Sequence, residues 1–273
     1  TLMLPSARVA GVIKDPRVHA VTLTGSEPAG REVAATAGAQ VKKTVLELGG
    51  SDPFIVLEDA DLDLAIEGAV TSRFLNTGQS CIAAKRFIVV ETIANEFVSR
   101  FKTAVEALPM GDPLNEHNRL GPMARHDLRD ELHRQVVESI AQGASAITGC
   151  NPEGGDGAYY QPSILDHVVP GVLAYHEELF GPVASIIRAD DEADAIRIAN
   201  DSDFGLGGSV WTRDSARGER IARQLQCGSA FVNGLVKSDP RLPFGGIKNS
   251  GYGRELSRLG IHEFVNAKTI WIK

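Results

Sequence analysis

Apolar positions along this chain switch repeatedly between a two-residue period and a helical one. Residues 18–24 (VHAVTLT) are apolar and β-branched and predict a strand that stops at Gly25-Ser26. Ser26 stands as an N-cap with Glu27 in the first turn and Pro28 beside it, so a helix is predicted as far as Gly38. Residues 43–48 (KTVLEL) predict a strand closed by Gly49-Gly50, and residues 53–57 a second strand directly after it. Asp61 opens a helix in which Leu62, Ile66, Ala69, Val70 and Phe74 recur at helical spacing. Asn76-Thr77-Gly78 ends that helix, Gly78 suiting a left-handed terminal residue. Residues 86–90 (RFIVV) predict a strand and 94–108 a helix, and Leu128, Leu132, Val136, Val137 and Ile140 mark another helix closed by Gly143. Beyond the loop at 151–157 (NPEGGDG), strands are predicted at 172–175, 183–188, 209–211 and 230–232, with helices over 192–200 and 215–225. Residues 242–253 (LPFGGIKNSGYG) are irregular, and 264–273 alternate apolar with polar as an edge strand would. Strands separated by helices imply an α/β fold, a mainly parallel sheet with helices on its faces.

Composition narrows the function classes. Of 273 residues, 43% are hydrophobic and 23% charged, which excludes bulk disorder. Lys and Arg number 28 against 35 Asp and Glu, a formal net charge of −7. That balance argues against nucleic acid or an anionic membrane as partner, since both call for a basic face. No apolar run approaches the ~20 residues needed to span a bilayer. The opening TLMLPSARVAG has neither a charged n-region nor a long h-region, so no signal peptide is expected. Cys81, Cys150 and Cys227 are too few and too scattered for a disulfide framework or a zinc site, and a reducing cytoplasm is the expected location.

A few residues stand out chemically. Cys81 follows the polar stretch NTGQS, with Lys85 and Arg86 close behind. A cysteine in a polar loop near positive charge can have a depressed pKa and act as a nucleophile; the bland alternative is an inert thiol. Glu47 interrupts the apolar run Val45-Leu46-Glu47-Leu48 just before two glycines. It is either an outward-facing strand residue or a general base at a strand end that a ligand can approach. No histidine lies within motif reach of Cys81, which disfavours a Cys–His hydrolase, and the seven histidines form no HxxxH or HExxH pattern. Gly25-Ser26, with Gly30 after it, can be a simple turn or can present a helix N-terminus to a phosphate. Glu177-Glu178-Leu179-Phe180-Gly181-Pro182 reads either as a solvated acidic turn or, with Phe180 buried beside a glycine, as a ring packing on a flat ligand.

Taken in order, VTLTGSEPAG, LELGG, NTGQSCIAAKRF, MGDP, GPM, EELFGPV, ANDSDFGL, VN and PFGGIKNSGYGRE resemble the aldehyde dehydrogenase superfamily from about Val21 to the end of the chain. The resemblance implies that Cys81 attacks an aldehyde carbonyl to form a thiohemiacetal, that hydride passes to NAD or NADP, and that a thioester remains. Glu47 would activate water for deacylation and help deprotonate the thiol, and the Cys81 N–H would bind the oxyanion. By the same resemblance Gly25 and Ser26 face the cofactor's pyrophosphate and nicotinamide side, and Leu48 offers backbone to the nicotinamide amide. Glu178 would hold the nicotinamide ribose, with Phe180 as the ring beside it. Gly245 and Gly246 would line the substrate mouth, where Phe244 packs on substrate. The implied organisation is the end of a Rossmann-like cofactor domain (1–48), a catalytic domain (49–252) and a return segment with an oligomerisation strand (253–273), in a homodimer or homotetramer.

Family members carry a long N-terminal portion that has no counterpart in these 273 residues. It holds most of the dinucleotide fold, an oxyanion-hole asparagine and the groups that grip the adenosine ribose. Two alternatives follow: a fragment without activity, or a cofactor-independent Cys81/Glu47 esterase. Within the superfamily, CIAAKRFIV, ALPMGDP, LGPMARHDLRDELH and GRELSRLGIHEF are most similar to bacterial succinate-semialdehyde dehydrogenases. Such a substrate asks for a cation to meet its distal carboxylate. Some members place an arginine just before the Asn of NTGQ, where this chain has Leu75. Arg73 and Arg241 are the candidates left, with Ser238 as a polar helper.

Overall fold

Strict alternation along the central strands decides the larger part of the fold. Phe54 and Val56, Phe87 and Val89, and Ala184 and Ile186 join one apolar cluster, while Ile55, Ile88, Val90, Val183 and Ile187 join another. Each such strand is therefore buried on both faces and needs helices on both. In the computed structural model, which describes all residues from Thr1 to Lys273, seven strands form that sheet. Their order is Ser229–Val232, Gly207–Trp211, Asp52–Val56, Ala84–Val90, Val183–Ala189, Ser163–Asp166 and Ser145–Thr148. All neighbours are parallel except the last pair. Helices Leu62–Phe74 and Glu91–Glu106 cover one face, where Phe54 stacks on Trp211 at 4.9 Å and the Phe87 ring packs tilted against Phe101 at 5.2 Å. Helices His126–Ala141, Glu192–Asn200 and Ser215–Ala222 cover the other. The α/β architecture with a mainly parallel sheet agrees with the sequence expectation.

The chain forms two compact units, Thr1–Gly49 with Ser238–Lys273, and Gly50–Lys237. The sheet just described lies in the second. In the first, helix Glu27–Gly38 connects the parallel strands Ala20–Thr24 and Lys43–Glu47, and Gly251–Tyr252 pairs antiparallel with the latter. Its core is Ile13, Val33, Ala37, Leu46 and Leu48. Residues 238–252, expected with the catalytic segment, belong to this unit because Gly251 and Tyr252 pair with Glu47 and Leu46.

Other elements differ from expectation. The strand expected at 172–175 is a one-turn helix, Leu173–His176, whose Leu173 and Ala174 amides are met by the side chains of Gln142 and Ser139. Residues 264–273 pair with no strand; Ile270, Trp271 and Ile272 lie exposed in irregular backbone. Helix Ser6–Lys14 and strands Ser145–Thr148 and Ser163–Asp166 were not foreseen. No helix is long and apolar enough to cross a membrane.

Candidate active site

The loop that carries Cys81 is built from its left-hand end. Asp61 caps helix Leu62–Phe74 by accepting from the Asp63 and Leu64 amides. Past Phe74 the backbone enters the left-handed region at three residues running: Asn76 and Thr77, both at φ 54°, and Gly78 at 72°. Only a glycine fits the third position, since a Cβ there would stand 2.3 Å from the Gly181 carbonyl oxygen. The strained turn is held by side chains. Arg73, wholly buried, donates to the carbonyls of Gly78 and Ala84. The Asn76 amide donates to the Gln79 carbonyl, and Thr77 Oγ1 to that of Gly121. Gln79 Oε1 accepts from the Ala124 amide. Backbone held this firmly in unfavourable φ is a common mark of functional loops.

Cys81 follows on this loop, half-buried. Lys85, 1% exposed, donates through Nζ to the carbonyls of Ser80 and Cys81 at 3.1 Å each and of Ala83 at 3.3 Å. Its Nζ also lies 3.1 Å from Glu178 Oε1, which in turn accepts from the Gly50 amide at 3.1 Å. The reading of Cys81 as a thiol of depressed pKa is not what the surroundings give. Burial pushes the Cys81 thiol up, Lys85 pulls it down, and Asp52 and Glu178 oppose Lys85. Lys85 is already paired with Glu178, and Arg86 turns away onto the carbonyls of Ser51, Ile198 and Ala199.

Glu47 closes its strand in the first unit, 3% exposed, and neither carboxylate oxygen has a hydrogen-bond partner. Burial first, and the negative charge of Glu255 second, push its pKa up to about 7, with Arg254 acting against them. A Cβ on Gly245 would lie 2.7 Å from Glu47 Oε1, so only a glycine leaves this carboxylate its space. The outward-facing alternative is thereby excluded. A partnerless carboxyl that is half-ionised near neutrality is suited to taking a proton.

The remaining predicted residues are placed as follows. Gly25 N–H donates to the Glu47 carbonyl, and Leu48 N–H to that of Ser250. Ser26 precedes helix Glu27–Gly38 but its hydroxyl makes no capping bond. Phe180 is 38% exposed, against the expectation of burial, because Leu179 takes the core position. Arg241 is exposed and grips Asp239 through Nε and Nη2; Ser238 is exposed, and Phe244 pairs through its backbone with Glu255. Arg73 is spent on backbone carbonyls and is not available to a substrate.

Sequence reasoning missed two groups. The first is the Lys85–Glu178 pair, whose members are far apart in the chain. The second is Asp52, fully buried and pushed up to about 6 mainly by desolvation, with Oδ1 on the Gly207 amide and Oδ2 unpaired. A charged residue opening an otherwise apolar strand was the available signal.

Residues 5–270 match the aldehyde dehydrogenase family. The chain is 55% identical, over 96% of its length, to the NAD(P)+ succinate semialdehyde dehydrogenase Sad of Escherichia coli (strain K12), and 52% identical over 100% to the NADP+ succinate-semialdehyde dehydrogenase of Mycobacterium avium (strain 104). It spans 57% and 58% of the length of those relatives. Among solved structures, succinic semialdehyde dehydrogenase from Streptococcus pyogenes in complex with NADP+ superposes with a TM-score of 0.97 at 38% identity. That match covers 99% of this chain and 60% of the other. The loop that carries Cys81 and the buried Glu47 thus stand within a match that runs almost from end to end, and the chain belongs to the aldehyde dehydrogenase family.

Proposed function

We propose that this chain oxidises succinate semialdehyde to succinate with NAD(P)+, with Cys81 as nucleophile and Glu47 as general base. The observation that carries the chemistry is Glu47: buried, without a hydrogen-bond partner, and titrating at about 7. The substrate comes from relatives that bear that name at 55% and 52% identity.

Glu47 takes the proton of the Cys81 thiol, and the thiolate adds to the aldehyde carbon, forming a C–S bond while the carbonyl π electrons move to oxygen. The resulting oxyanion accepts a hydrogen bond from the Cys81 N–H. Bound NAD(P)+ supplies the acceptor for the hydride that leaves this carbon. In deacylation Glu47 removes a proton from water as the water oxygen attacks the thioester carbon, and the sulfur departs as thiolate. On the first unit Gly25, Ser26 and Leu48 would hold the cofactor; the Ser26 hydroxyl, uncommitted as a cap, suits this role. On the second unit the fit is a partly exposed Glu178 carboxylate beside the exposed Phe180 ring, an acceptor for sugar hydroxyls next to a flat surface.

Arg241 and Ser238 would meet the distal carboxylate, and Phe244 the carbon chain. Arg241 already shows bidentate carboxylate binding on Asp239, the geometry a substrate carboxylate would take over. Arg241→Leu is therefore expected to raise KM for succinate semialdehyde about tenfold while leaving butanal unaffected. Equal effects on the two aldehydes would remove Arg241 from the substrate site. The exposed apolar residues Ile270, Trp271 and Ile272 support a homodimer or homotetramer. Light scattering that finds a monomer at all concentrations would rule this out. A nucleophilic thiol must stay reduced, which fits the cytoplasm.

A further inference from the structure

In the second unit, the surroundings of Lys85 are chemically one-sided. Its Nζ meets three backbone carbonyls and one carboxylate oxygen, four acceptors for three protons. Only an ammonium satisfies an all-acceptor shell. Two of those carbonyls, of Ser80 and Cys81, belong to the nucleophile's loop, and the carboxylate is that of Glu178, steadied from its other side by the Gly50 amide.

We propose that Lys85 is a positioning residue, one buried ammonium that ties the Cys81 loop to Glu178 and places a positive charge on the backbone that carries the thiol. The inference rests on Cys81 being the nucleophile of the reaction above. The charged groups that act on Cys81 are Lys85, Asp52 and Glu178; on Lys85 itself burial disfavours the charge, as Arg73 does, while Glu178 and Asp52 favour it. Of the three acting on Cys81, Lys85 alone favours the thiolate, while Asp52 and Glu178 disfavour it, as does burial itself. Two substitutions on the same ion pair therefore act in opposite directions. Lys85→Met removes the favourable charge and disfavours the thiolate. Glu178→Gln removes an unfavourable one and favours it. A residue that merely filled space would not give paired shifts of opposite sign.

The test is the pH profile of iodoacetamide alkylation of Cys81 in the full chain, resolved from Cys150 and Cys227 by peptide mass spectrometry. At neutral pH, Lys85→Met is expected to slow alkylation about tenfold, and Glu178→Gln to speed it severalfold. Circular dichroism establishes which variants fold; if Lys85→Met does not, Lys85→Gln, which keeps a donor and loses the charge, takes its place, with the same slowing expected and a wild-type profile overturning the proposal. Wild-type profiles in the folded variants, or shifts of the same sign in both, would overturn the proposal. Alkylation needs neither aldehyde nor cofactor. Absence of aldehyde oxidation in the wild-type chain would therefore count against the functional reading and leave this result to be judged by itself.

Discussion

At the scale of single residues, Glu47 carries the most specific consequences. Its carboxyl titrates at about 7 in the folded chain against an ordinary 4.5. Between those values the folded state binds more protons than the unfolded one, so stability falls as pH rises through that window. The loss attributable to this one group is about 1–3 kcal/mol. Glu47→Gln removes that slope, and urea midpoints measured at intervals from acid to mildly alkaline pH will read it; a slope retained in the variant would show that other groups cause it. Catalysis has the opposite sign, because the base is active only when ionised. Hydrolysis of an activated ester by the Cys81 thioester route should rise through about pH 7 and level off above it. Glu47→Gln should lower that rate by ~10² to 10⁴.

Arg73 makes the corresponding case at the scale of elements. The chain turns from helix Leu62–Phe74 into strand Ala84–Val90 through three left-handed residues, and the Arg73 guanidinium holds the carbonyl of the last of them, Gly78, together with that of Ala84 at the strand's start. Burial lowers its pKa to about 9, which still leaves it charged at neutrality. Arg73→Leu strands two carbonyls and frees the strained turn, at an expected cost of about 2–4 kcal/mol. Guanidinium chloride unfolding measures this, and an unchanged midpoint would mean that the turn is held elsewhere. Elements with a clear period were legible in the sequence. The helix from Asp61 shows its face directly in the spacing of apolar residues, and the strand at 183–188 stands out as a short apolar run buried on both faces. Strand Ser145–Thr148 was not legible because it is short, largely exposed and paired only at the sheet's end. Ser163–Asp166 is four residues long and wholly buried, a run too short to show a period. Residues 172–175 misled because Val, Leu and Tyr suit a strand, while side chains from elsewhere in the fold satisfy the backbone of a helical turn.

At the scale of the whole molecule, the sequence showed which chemistry to look for better than it showed how that chemistry is arranged. Cys81 and Glu47 were visible as anomalies in their local context. Of the two readings open for Cys81, the depressed thiol pKa is not the one found, because sequence proximity does not say where a charge points: Lys85 pairs with Glu178, and Arg86 donates to the Ser51, Ile198 and Ala199 carbonyls. The division at 237/238 was hidden for a similar reason, since pairing of Gly251 and Tyr252 with residues near Glu47 is a long-range event. Cys81 and Glu47 belong to different units of the chain, and the reaction proposed for them needs both. The measurement that tests this most directly is reduction of NAD+ and NADP+ by the purified 273-residue chain with succinate semialdehyde, followed by absorbance beside Cys81→Ser. Steady cofactor reduction that the substitution abolishes is the expected result. Reduction that survives in Cys81→Ser, or none from the folded wild-type chain, would contradict it.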